Sequence, residues 1–172
     1  MSTSRFAEQL NAQIGNEFAA HQQYVAIAVH YDALTMPAMA AYFYRQAVEE
    51  RDHAMMMVRF LVDTDREVTI PGSEAPQSRF GDIVAPVALA LEQGKRVTTQ
   101  IHALTRIARD ENDFAAEQFM QWFIKEQVEE VAAINDLLTV VTRAKDDIQY
   151  IEGYAAARES ADDPTAPTPA GA

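Results

Sequence analysis

Residues 47–61 read Ala-Val-Glu-Glu-Arg-Asp-His-Ala-Met-Met-Met-Val-Arg-Phe-Leu, and the placing of apolar and charged side chains in this stretch decides the fold. Ala47, Ala54, Met57, Val58 and Leu61 recur at helical spacing, and Met39, Tyr42 and Phe43 extend the same face upstream. Glu50 and His53 are three apart, hence on one side of that helix, with Ala54 and Met57 directly after them. A long helix with an acid and an imidazole among its apolar positions predicts a helical bundle whose interior is partly polar.

The flanking sequence supplies the rest of the bundle. A first helix begins near Ser4, which suits an N-cap, and carries Phe6, Leu10, Ile14, Phe18, Val25 and Ala28 to about Asp32. Pro37 fits the first turn of the second helix, which ends near Thr64. From Asp65 to Gly81 the period disappears while Pro71, Gly72, Ser73 and Pro76 accumulate. So long a connection predicts a crossover along the bundle, leaving the third helix parallel to the second. The third helix runs from a cap at Asp82 to about Arg109, with Gly94 in its interior, and the fourth from the Asp110–Asp113 turn to about Thr142. A short fifth helix covers Asp146 to about Arg158. The expected fold class is therefore all-α: a four-helix bundle with a long crossover between the second and third helices, plus a short fifth helix. The bundle is expected to occupy residues 1–159, and the Pro-, Ala- and Thr-rich residues 160–172 to form a disordered tail.

Composition narrows the function. The chain has 172 residues, 48% of them hydrophobic, enough for one core. It has no cysteine, which excludes disulfides, thiolate metal sites and a cysteine nucleophile. A net charge of -12 argues against nucleic acid as a partner. No basic-then-apolar segment opens the chain and no apolar run is long enough to span a bilayer, so no membrane association and a cytoplasmic location are expected.

Metal chemistry in such a chain must use His and carboxylates. Glu17 and Tyr24 share a face of the first helix. With the first turn near residue 35, Glu17 and His53 each lie about 18 residues from it, roughly 27 Å along an antiparallel pair. With the second turn near residue 111, Glu92 and Glu130 are level in the same way, each about 19 residues away. Acids and an imidazole meeting inside a bundle need a compensating cation, and an oxygen-rich set with one imidazole suits iron or manganese, particularly as a carboxylate-bridged pair. A Glu-x-x-His motif is present once, at Glu50–His53, while the matching stretch of the fourth helix reads Gln127-Val128-Glu129-Glu130. The same residues leave two other readings open: a bundle that buffers metal without oxidising it, and a purely structural helical oligomer with solvated acids.

Three stretches resemble the bacterial non-haem ferritins: Asn16-Glu17-Phe18 through Tyr24, Ala47 through Ala54, and Glu117-Gln118-Phe119-Met120-Gln121-Trp122-Phe123 leading to Glu126-Gln127-Val128-Glu129-Glu130. The resemblance extends from about Ser4 to Tyr154. It implies a ferroxidase that oxidises Fe(II) with dioxygen or hydrogen peroxide at a di-iron centre. One iron would sit on Glu17, Glu50 and His53, and the second among Glu50, Glu92 and Gln127, with Glu130 as an additional acid and Tyr24 nearby. A third iron is implied at Glu49, Glu126, Glu129 and Glu130. It further implies a hollow homo-oligomeric shell of twenty-four subunits storing ferric oxide-hydroxide, with the fifth helix at fourfold axes and Glu117 and Met120 placed at threefold pores. No haem is expected, because Arg51 stands where the haem-containing cousins carry a methionine.

Overall fold

Short connections fix which helices lie side by side. In the computed structural model, which describes residues 4–161, five helices follow one another: α1 (Arg5–Ala33), α2 (Pro37–Asp63), α3 (Ala85–Asp110), α4 (Phe114–Arg143) and α5 (Ile148–Ala161). No strand occurs among the described residues. The expected tail lies outside them from residue 162 onward. No helix of the described residues is long and apolar enough to cross a membrane.

The helix ends are held largely by side chains from elsewhere in the chain. Ser4 caps α1, its Oγ accepting from the Ala7 amide, and donates in turn to Glu111 at 2.7 Å. Glu111, on the α3–α4 turn, also accepts from the Arg5 amide, placing a carboxylate on the positive end of α1. The Ser4 hydroxyl and the Arg5 and Phe6 amides hold the Glu111 carboxyl below its ordinary range. Pro37 opens α2 as expected, and Glu152 of α5 accepts from the Ala38 and Met39 amides at 2.9 and 2.8 Å. The fifth helix therefore caps the second. Asp113 caps α4 and pairs with Arg66, tying the start of the crossover to the α3–α4 turn. Asp82 accepts from the Val84 and Ala85 amides, and α3 begins two residues later than a cap at Asp82 predicts.

The crossover is pinned along α1. Asn11 bonds to Glu67 and Thr69, Gln23 exchanges two bonds with the Gln77 backbone, and the Tyr31 hydroxyl donates to the Ile83 carbonyl. Its path passes so close to Gly15 that a Cβ there would lie 2.7 Å from Pro71 Cγ, which is why a side-chain-free residue is needed. Having travelled the length of α1, the chain begins α3 parallel to α2.

The core forms two apolar clusters. One gathers Tyr24, Ile27 and Tyr31 with Met39, Phe43, Val87, Ala90, Ile134, Leu137 and Ile151. The other gathers Phe6, Leu10 and Ile14 with Met57, Leu61, Ile101, Leu104, Met120 and Phe123. Between them, at mid-bundle, every helix of the four has a break in its apolar stripe.

Candidate metal centre

Glu17 enters that break from α1, and Glu50 and His53 from α2; all three are buried. His53 Nδ1 lies 4.0 Å from Glu17 Oε2 and 3.6 Å from Glu50 Oε2. One donor atom from each residue lies within 4.8 Å of the other two. The Oε2 atoms of Glu17 and Glu50 are buried without a hydrogen-bond partner. Buried carboxylate oxygens left in this way are strongly unfavourable unless a cation or proton meets them, and two carboxylates with one imidazole form a donor set suited to iron or manganese.

The surrounding side chains aim this group. Gln13, one turn before Glu17, donates Nε2 to Glu17 Oε1 at 2.8 Å and is held by Asn16 and Gln100. The bond turns one oxygen of Glu17 outward and leaves the other toward His53. Trp122 and Phe123 of α4 meet the imidazole edge-on, with ring centroids 5.4 and 5.7 Å away, restricting its rotation. Gln13, Trp122 and Phe123 were not anticipated as neighbours of the site; the four-residue spacing of Gln13 from Glu17 is the signal that points to the first.

From α4, half-buried Glu130 accepts from the Tyr24 hydroxyl at 3.0 Å. Burial, followed by the charges of Glu130 and Glu17, pushes the Glu50 carboxyl well above its usual range. Glu50 thus feels the charges of both neighbouring acids. Burial and then Glu130 push the Tyr24 phenol upward, so it remains a proton donor. Gln127 is buried on α4, but its Nε2 is engaged by the Gly94 carbonyl at 3.2 Å and Thr98 Oγ1 at 3.1 Å.

The expectation for Glu92 is corrected. Its height is right and its direction wrong: Glu92 is exposed, while Gln93 and Gly94 are the buried residues of that turn. The buried stripe of α3 runs Val87, Ala90, Leu91, Gly94, Val97, Ile101, Leu104 and Ala108, and residue 92 falls off it. Gln93 turns instead into a cavity of about 490 Å³ between α1, α3 and Pro71–Glu74.

The outer acids are more dispersed. Glu49 pairs with Arg45 at 2.6 Å and accepts from Gln46, while Glu129 is exposed beside Lys125. Glu126 is half-buried, and burial raises both its pKa and that of Glu49. Among the described residues, Glu17, Glu50 and His53 are the one group of three such ligands brought within metal-binding distance. Met120 is fully buried in the core, and Glu117 accepts from Arg109. His21 meets the Ala47 carbonyl and His102 is exposed, in keeping with a structural or surface role.

Comparison with known proteins agrees with this fold. The model of the ferritin-like domain matches residues 7–144. Ferritin BfrB of Mycolicibacterium smegmatis is 49% identical over 170 residues, covering 98% of this chain and 94% of the relative. A bacterial non-heme ferritin of Staphylococcus aureus is 32% identical over 154 residues, covering 90% and 93%. The open-pore ferritin of the archaeon Archaeoglobus fulgidus superposes with a TM-score of 0.86 at 28% identity, covering 90% of this chain and 96% of that one. A parallel second and third helix, a carboxylate–histidine group at mid-bundle and likeness over nearly the whole length have one reading: the chain belongs to the ferritin family.

Proposed function

We propose that this chain stores iron, taking Fe(II) at Glu17, Glu50 and His53, oxidising it with dioxygen and passing Fe(III) to a mineral of ferric oxide-hydroxide inside a shell of many copies. The observation that carries the reading is the pair of buried, unpartnered carboxylate oxygens facing His53 in a chain of this family. A divalent cation offsets both charges at once. Glu130 extends the donor set toward α4, and Tyr24 donates to it, keeping one of its oxygens oriented. Two Fe(II) ions each give up one electron, and dioxygen takes both with two protons to leave hydrogen peroxide; the chain contributes ligation and positioning. Carboxylates hold Fe(III) without enclosing it, and Glu49, Glu126 and Glu129 offer further oxygen donors beyond the site. Haem has no part in the reading: Arg51, which has no donor for haem iron, pairs with Asp52 at the surface.

Fe(II) added under argon and then exposed to air tests this directly. Rapid growth of ferric absorbance, with iron remaining soluble and co-eluting with protein, is the expected result. Oxidation no faster than in buffer would remove the ferroxidase assignment, and tight Fe(II) retention without oxidation would favour metal buffering.

A further inference from the structure

The four helices do not serve the metal centre equally. At its level α1 brings Glu17, α2 brings Glu50 and His53, and α4 brings Glu130, while α3 brings no carboxylate at all. Its one acid there, Glu92, is on the outside, and the α3 residue on the interior stripe is Gly94. The Gly94 carbonyl is already occupied, accepting from Gln127 Nε2 and from Thr98 Oγ1 at 2.9 Å. The space is not closed by packing: a Cβ on Gly94 would find only Val131 Cγ2 nearby, at 3.4 Å, an ordinary contact.

Two positions for a cation follow from this arrangement. The first faces Glu17, Glu50 and His53, where both unpartnered oxygens point. The second would lie toward Glu130, which is held by Tyr24 and whose charge bears on Glu50, with Glu50 and Glu130 as its anionic donors. We infer that the site is lopsided, with one divalent cation held tightly by Glu17, Glu50 and His53 and a second held weakly by Glu50 and Glu130, because α3 presents Gly94 and no carboxylate to it. The inference rests on the iron-binding reading above and specifies how the two positions differ. One Fe(II) supplies one electron, so a chain loaded only at the tight position cannot by itself complete the two-electron reduction of dioxygen.

Anaerobic calorimetric titration of the whole protein with Fe(II) tests the difference. The wild type should show one tight equivalent per chain and a second at least about tenfold weaker, the scale on which supporting groups alter metal affinity. Gly94→Glu should tighten the second step toward the first, and Glu130→Gln should remove the second step while leaving the first. Glu92→Gln, a surface change that leaves the fold intact, should reproduce the wild-type isotherm. Two equally tight equivalents in the wild type, a second step weakened by Glu92→Gln, or a folded Gly94→Glu protein with an unaltered isotherm would each overturn the lopsided site. Absence of any tight Fe(II) step in the wild type would instead remove the iron-binding reading beneath it.

Discussion

Glu50 is held as a buried carboxyl among other acids. Its carboxyl is buried, one oxygen has no partner, and Glu17 and Glu130 lie on either side of it. Metal-free Glu50→Gln protein should therefore be more stable than the wild type at neutral pH, by about 1–3 kcal/mol, the cost of an unmet buried polar group. The pH dependence follows with a definite sign. A carboxyl whose folded pKa is raised above its usual 4.5 contributes stability that is fully present below 4.5 and is lost as pH rises through the folded value. The advantage of Glu50→Gln should thus be absent in acid and open as pH rises toward neutrality. Fe(II) under argon should reverse the order, stabilising the wild type and not the variant. Melting temperatures of both proteins across pH, with and without Fe(II), check each part; an advantage independent of pH would mean that Glu50 is not strained by charge.

Among the elements, α1 and its turn into α2 show a local cost accepted by the fold. Thr35 has φ 57°, a left-handed conformation that crowds a β-branched side chain, and it is exposed. Thr35→Gly should stabilise by about 0.5–1 kcal/mol, the left-handed penalty less the entropy that glycine adds to the unfolded chain. Glu152→Ala should act oppositely: it strips the cap from α2 and should cost about 1 kcal/mol, as N-cap losses do, with the loss visible in denaturant midpoint. Period and punctuation made the four long helices and the crossover legible, because each buries a stripe and each connection is marked by Pro, Gly or a run of acids. Heights along antiparallel pairs likewise brought Glu17 to His53 correctly. Height along the helix puts Glu92 level with the site, while helical rotation turns it outward. The spacing Ala90, Gly94, Val97, Ile101 places residue 94 on the inner face and residue 92 two positions, or about 200° of helical rotation, away from it. Glycine carries no chemical signal of its own, so the gap it leaves on the inner face is not legible in the sequence. Glu152 and Glu111 were illegible for another reason: their partners are more than a hundred residues distant, and no local pattern marks a cap supplied from another helix.

For the whole molecule, the position of the metal centre separates assembly from chemistry. The site lies inside one chain, between two apolar clusters, and none of Glu17, Glu50 or His53 reaches the surface. The apolar side chains that remain exposed, among them Val29, Val62, Phe114, Val128 and Tyr150, are distributed over the outer faces of α1, α2, α4 and the α5 turn, and these are the surfaces available to neighbouring copies. Removing the ligands should leave those faces untouched, and should also relieve buried charge. Glu50→Ala combined with His53→Ala is therefore expected to elute from gel filtration at the same very large size as the wild type while losing rapid Fe(II) oxidation by at least about a hundredfold, the upper range for lost support of a metal site. Small-angle scattering distinguishes a hollow particle from a compact oligomer of equal mass. A double variant that dissociates to dimers would show that the site also holds the assembly together, and one that still oxidises Fe(II) at the wild-type rate would place the reaction elsewhere, with the outer acids Glu49, Glu126 and Glu129 as the next residues to substitute.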